Sequence, residues 1–150
     1  MEIFYLFSRK SPGDEMYEIT DKQIDFQSYY QKIVEKDSGN VGAVVSFVGI
    51  VRGRNRGRNV RGINYECYRE LAENYLKDLE EEILKKYRLR DIVIAHRTGM
   101  VYVGEISLIV ICASEHRDEA FKACREVVER IKEKLPIWKK EIYENGEEWI

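Results

Sequence analysis

The sequence is poor in residues that break chains or tie them together, with two prolines and three cysteines in 150 residues. Neither Pro12 nor Pro136 sits in a linker-like stretch, and no internal repeat or low-complexity segment is visible. Cys67, Cys112 and Cys124 are odd in number, widely spaced, and form no CxxC pair or zinc pattern. They read as small buried hydrophobes of a reducing compartment, and neither a metal nor a cofactor is expected. A long apolar run is missing too. The longest uncharged stretch, Ser38 to Val51, has fourteen residues, short of the roughly eighteen that a membrane helix needs. The apolar start, MEIFYLF, carries Glu2 where a secretory leader carries positive charge, and no small-residue cleavage site follows. A cytoplasmic protein without membrane contact is expected. Nor does one sign of charge dominate. The 25 basic and 27 acidic residues leave −2, which weighs against a general binder of nucleic acid.

What is present suffices for a core. A chain of this length buries roughly 70% of its unfolded surface, and 44% hydrophobic with 35% charged residues excludes a disordered tail. One domain over residues 1–150 is expected. The patterning predicts a short strand at 16–19, then a helix capped by Thr20 or Asp21 and running to about Lys36. Its apolar positions are Ile24, Phe26, Tyr30, Ile33 and Val34. After a turn at 37–40, the charge-free, β-branched run 41–51 reads as a buried central strand. Residues 53–59 read as a polar loop, and 60–68 as its partner strand. A helix over 70–87 has the stripe Leu71, Tyr75, Leu79, Ile83 and Leu84. Strands at 91–96, 100–103 and 105–113 precede a second long helix over 115–135, with Phe121, Cys124, Val127, Val128 and Ile131 facing inward. Pro136 ends it, and 137–143 with 147–150 reads as a hairpin turned at Asn145-Gly146. The order is that of an α+β domain, helices packed on a mainly antiparallel or mixed sheet.

Three segments carry candidate chemistry. Residues 52–61, RGRNRGRNVR, hold five arginines and no acid. Arginine's planar fork suits phosphate or carboxylate, and glycine lets backbone approach a ligand. A solvated hairpin tip fits Arg54, Arg56 and Arg58 equally well, whereas Arg52 stands at the mouth of the apolar strand. Residues 114–118, SEHRD, open the second long helix, where free N–H groups and the dipole favour an anion and His116 and Arg117 add donors. Ordinary helix-start composition explains Glu115 and Asp118 as well. His96-Arg97 is a weaker copy of the idea. Residues 132–141, KEKLPIWKKE, place lysines at a helix end, a favourable position by dipole alone. The break at Pro136 and the apolar Ile137-Trp138 then fix the direction of Lys139 and supply walls that depress a lysine pKa. No cysteine or serine stands beside an obvious base, so the chemistry implied is cationic.

These segments occur in a familiar order: GAVVSFVGIVR at 42–52, AHRTG at 95–99 before VGE at 103–105, SEHRDEAF at 114–121, and KEKLPIWKKE at 132–141, closed by GEEWI at 146–150. Through them the chain resembles the large, catalytic subunit of molybdopterin synthase. The likeness covers almost everything from Gly42 onward, while residues 1–15 match nothing in the family. The resemblance implies an α/β hammerhead fold with an added small antiparallel sheet. It implies a sulfurtransferase of molybdenum-cofactor synthesis that converts cyclic pyranopterin monophosphate to the dithiolene molybdopterin. Two sulfurs would come from the thiocarboxylate on the Gly-Gly tail of a small ubiquitin-like carrier subunit. A homodimer with one carrier at each end is implied as well.

By the same resemblance Lys132 and Lys139 are catalytic. Arg52 with the backbone of Ile50 and Val51 forms the substrate pocket, His116 and Arg117 take the substrate phosphate, and Lys140 and Glu141 flank the second lysine. Relatives often continue beyond the counterpart of Ile150 and add a basic residue, a role open here to Arg54, Arg56 or Arg58. Helix length adds one expectation of its own. Fifteen residues separate Arg117 from Lys132, roughly 22 Å along a helix, so a site using both is composite across a twofold dimer. The competing reading is a nucleic-acid-binding module built on the arginine segment, against which stand the net charge and the lack of interleaved aromatics. A non-catalytic protein keeping only the carrier cleft is the third, and the paired lysines argue against it.

Overall fold

Residues 16–37 and 39–150 are described by the computed structural model, and the apolar N-terminal stretch considered above lies outside them. The first sheet is built around two strands that are buried almost without interruption and apolar through their middles, β5 (Asp91–Arg97) and β7 (Ile106–Ser114). Such runs need cover on both faces, and they have it. Ile92, Ile94, Val110 and Cys112 face a cluster with Leu76, Leu79 and Ile83 of α2 (Arg69–Lys86) and Ala123, Val127 and Ile131 of α3 (Arg117–Lys134). Val93, Ala95, Ile109 and Ile111 face Ile24 and Ile33, the latter on α1 (Phe26–Lys36). The sheet order is β1-β5-β7-β2, with β1 (Tyr17–Thr20) parallel to β5 and the other pairs antiparallel.

The second sheet runs β3 (Arg54–Asn55), β4 (Arg58–Cys67), β8 (Ile137–Tyr143), β9 (Gly146–Trp149), and β6 (Gly99–Tyr102) also pairs with β4. The α+β class and the added antiparallel sheet are therefore as the sequence implied. Among the described residues no helix is long and apolar enough to cross a membrane.

Several expectations need correction. Helix α1 starts at Phe26, capped by Asp25, whose carboxylate accepts from Ser28 N at 3.2 Å. Thr20 instead closes a local turn with Lys22 N, a competing use of a hydroxyl that a cap search does not separate. Strand β2 (Ala43–Ile50) is an edge strand, not a central one. Its faces are partly covered and its outer edge has no partner among the described residues, so lack of charge here reports a covered face, not a central place. Phe121 is 60% exposed and Leu71 56%. Each lies in the first turns of its helix, displaced from the stripe that meets the sheet. The C-terminal hairpin turns at Glu144-Asn145, since Tyr143 pairs with Gly146. Two residues expected in a loop form β3.

Candidate active site

The two sheets and the end of α3 meet at one cleft of about 340 Å³. Strand β2 runs into it, contributing Phe47 through Ile50, and Val51 and Arg52 follow at the mouth. Strands β4 and β8 supply a wall. Tyr65 stands opposite Lys139 and Ile63 opposite Glu141 in the ladder, and strand alternation turns these four side chains to one face. Lys132 reaches the cleft from the last turns of α3. Helix α3 then stops with Leu135 extended, and Pro136 redirects the chain into β8. One helix end and one strand start thus deliver both lysines.

Burial sets the electrostatics. Desolvation lowers the pKa of Lys139, the nearby Lys132 charge adds to the effect, and Glu141 opposes it. Glu141 is 4% exposed, accepts from Asn55 Nδ2 at 2.9 Å and also bonds the Tyr143 hydroxyl. Behind the wall, His96 packs edge-on against Tyr65 with centroids 5.1 Å apart. Its Nδ1 lies 2.7 Å from the Arg97 carbonyl oxygen, which can only accept, so Nδ1 carries the proton. Burial pulls the His96 pKa down to about 4, and Lys139 and Lys132 lower it further while the carbonyl contact opposes. Tyr65 is raised by desolvation. The cleft therefore joins Arg52, Arg54, Lys132 and Lys139 with one capped carboxylate, a site for an anion beside an amine that sheds its proton readily.

Of the residues singled out in the sequence, Ile50, Val51, Arg52, Lys132, Lys139 and Glu141 line this cleft. Lys140 does not. It points to the opposite face of β8, where Nζ lies 3.2 Å from Glu147 and 4.5 Å from the centre of the Trp149 ring. His116 and Arg117 sit at the exposed far end of α3, where His116 is the N-cap without a side-chain cap bond. Sequence reasoning missed Asn55, Tyr65 and Ser107, all on the lining. The alternation of Ile63 with Tyr65 toward Lys139 was the available signal. Among the described residues no group of three or more His, Cys, Asp or Glu is placed to hold a metal ion.

The MoaE protein family matches residues 19–134. The chain belongs to this family. The molybdopterin synthase catalytic subunit of Thermoplasma volcanium is 41% identical over 129 residues, covering 86% of this chain and 92% of that one. That of Pyrococcus abyssi is 36% identical over 138 residues, covering 92% and 93%. The molybdopterin synthase structure from Staphylococcus aureus superposes with a TM-score of 0.83 at 34% identity, over 91% of this chain and 97% of that one. The family match reaches from β1 to the end of α3 and so includes Arg52 and Lys132 of the cleft. The nucleic-acid reading is not supported. Arg52 and Arg54 turn into the cleft, and Arg58 stacks over Tyr143 at 3.5 Å and pairs with Glu148.

Proposed function

We propose that this chain is the catalytic subunit of a molybdopterin synthase. It transfers two sulfurs from the C-terminal thiocarboxylate of a small ubiquitin-like carrier to cyclic pyranopterin monophosphate, in the cytoplasm and as one domain. The observation that carries this is the convergence of Arg52, Lys132 and Lys139 on one cleft in a chain of the MoaE family. Arg52 binds anionic substrate. Lys139, with its lowered pKa, holds or accepts a proton at Nζ. Lys132 supplies positive charge at the same wall, and its own amine is the second candidate for proton handling. No cysteine of this chain carries the sulfur: Cys112 and Cys124 are buried between β7 and α3, and Cys67, at the end of β4, is off the cleft lining with its thiol pKa raised by desolvation.

The phosphate site is completed by a second copy. The open edge of β2 is uncharged from Ala43 to Ile50, and a long bare edge invites a strand. Antiparallel pairing of two β2 edges about a twofold axis between Ser46 and Phe47 sets Ala43 of one chain opposite Ile50 of the other. Ser114 neighbours Ala43 in the ladder. The partner's Ser114 then lies roughly two strand spacings, about 10 Å, from Ile50, and His116 and Arg117 follow it by two and three residues with long side chains. Reconstitution tests the function: the chain, a thiocarboxylated carrier and the pterin monophosphate should yield dithiolene product, with carrier returned as carboxylate. Absence of product from folded components would refute it.

A further inference from the structure

The cleft holds one of the three arginines, Arg54, Arg56 and Arg58, whose role stands open above. Arg54 lines it beside Arg52, carried on the short β3–β4 hairpin. The tip residues Arg56 and Gly57 have φ of 52° and 77°, the left-handed pair of a two-residue type I′ turn, for which glycine is suited. Both strands of the hairpin are tied down. On one side Asn55 Nδ2 donates to the buried Glu141, 2.9 Å away. On the other, Arg58 stacks on Tyr143 at 3.5 Å and pairs with Glu148 at 3.3 Å. At the base, Val60 N donates to the Gly53 carbonyl at 3.0 Å.

The arginines of this hairpin therefore differ in kind. Arg58 is engaged in holding the second sheet together. Arg54 has one long bond of 3.4 Å to the Gly57 carbonyl and no carboxylate partner among the described residues. Glu141, the one acidic side chain among the described lining residues, accepts from Asn55 and Tyr143 and makes no ion pair with Arg54.

We infer that Arg54 is a second anion-binding guanidinium of this cleft, and that Asn55 is a positioning residue that holds it there through Glu141. The ligand chemistry is an oxyanion, either the phosphate of the pterin or the C-terminal thiocarboxylate of the carrier. The inference rests on the sulfur-transfer reading for its reactants, not for its geometry.

The test is Arg54→Gln and Asn55→Ala in the reconstituted synthase, with KM for each reactant and kcat measured separately and thermal midpoints confirming the fold. Loss of one charge-assisted hydrogen bond should raise one KM about tenfold or more, with a smaller change in kcat. A rise for the pterin identifies the phosphate, and a rise for the carrier identifies its carboxylate. Asn55→Ala should raise the same KM to a lesser degree, and Arg54→Lys should restore it only in part. Unchanged KM values in folded Arg54→Gln, or a loss confined to kcat, overturn the inference. Should the wild-type chain make no product, the sulfur-transfer reading fails by itself. Pyrophosphate binding measured by calorimetry then decides: weaker binding to Arg54→Gln upholds the inference, and equal binding overturns it.

Discussion

Lys139 owes its chemistry to where a strand puts it. Half-buried against Tyr65 and near the Lys132 charge, its amine loses a proton below the ordinary lysine range. Among the lysines, Lys139 should therefore be acylated by an amine-directed reagent at lower pH than the exposed ones, as read by peptide mass spectrometry. Removing the like charge with Lys132→Ala should move that labelling to higher pH. Uniform labelling across all lysines would contradict the assignment.

His96 gives a stability prediction. Its pKa is about 4 in the folded chain against 6.5 for the free group, so the unfolded chain binds more protons between those values. The neutral ring favours folding above pH 6.5, and that contribution falls away as pH drops through the window, by about 3 kcal/mol at pH 4. Urea unfolding at pH 7 and pH 4 should show a smaller acid loss in His96→Asn than in wild type. Equal losses would place the titration elsewhere. For the cysteines, a folded triple Cys→Ala variant should keep measurable turnover. Loss of turnover from one such change would assign a thiol to the reaction.

Elements are held in place at a few close contacts. A Cβ at Gly42 would run into the Glu115 carbonyl just before α3, so Gly42 lets the start of β2 pass beneath the helix start. Gly42→Ala should cost about 1–3 kcal/mol in urea unfolding, because backbone rather than a side chain must move. No loss of stability would show that the helix start shifts freely.

The elements themselves were legible in the sequence wherever a period dominated. The spans of α2, α3, β5 and β7 stand where predicted, within a residue or two, while Leu71 and Phe121 fall off the inward stripes. What periodicity could not separate was Thr20 from Asp25 as a cap, since both are good acceptors at a helix start. Nor could it tell an edge strand from a central one, since the partly covered faces of β2 are as free of charge as those of a central strand. The cleft was half legible. Arg52, Lys132 and Lys139 follow from a strand mouth and a helix break, whereas the Asn55–Glu141 bond joins residues 86 positions apart and leaves no local trace.

At the scale of the whole molecule, α3 is one unbroken helix from Arg117 to Lys134, so its two ends cannot serve one small substrate within a chain. The proposed twofold dimer along β2 would lend the start of one helix to the other chain's cleft. Mixing Lys132→Ala with Arg117→Ala should restore activity, because one of the two sites in the mixed dimer is then intact. Mixed dimers that form and stay inactive would confine the site to one chain.

The central claim is that sulfur transfer takes place where Lys132 and Lys139 share a wall with Arg52. The most direct measurement is single-turnover formation of the dithiolene by wild type and by Lys132→Ala, with carrier binding followed in parallel. The account predicts that Lys132→Ala binds the carrier normally and forms no product. Product at near the wild-type rate would contradict it.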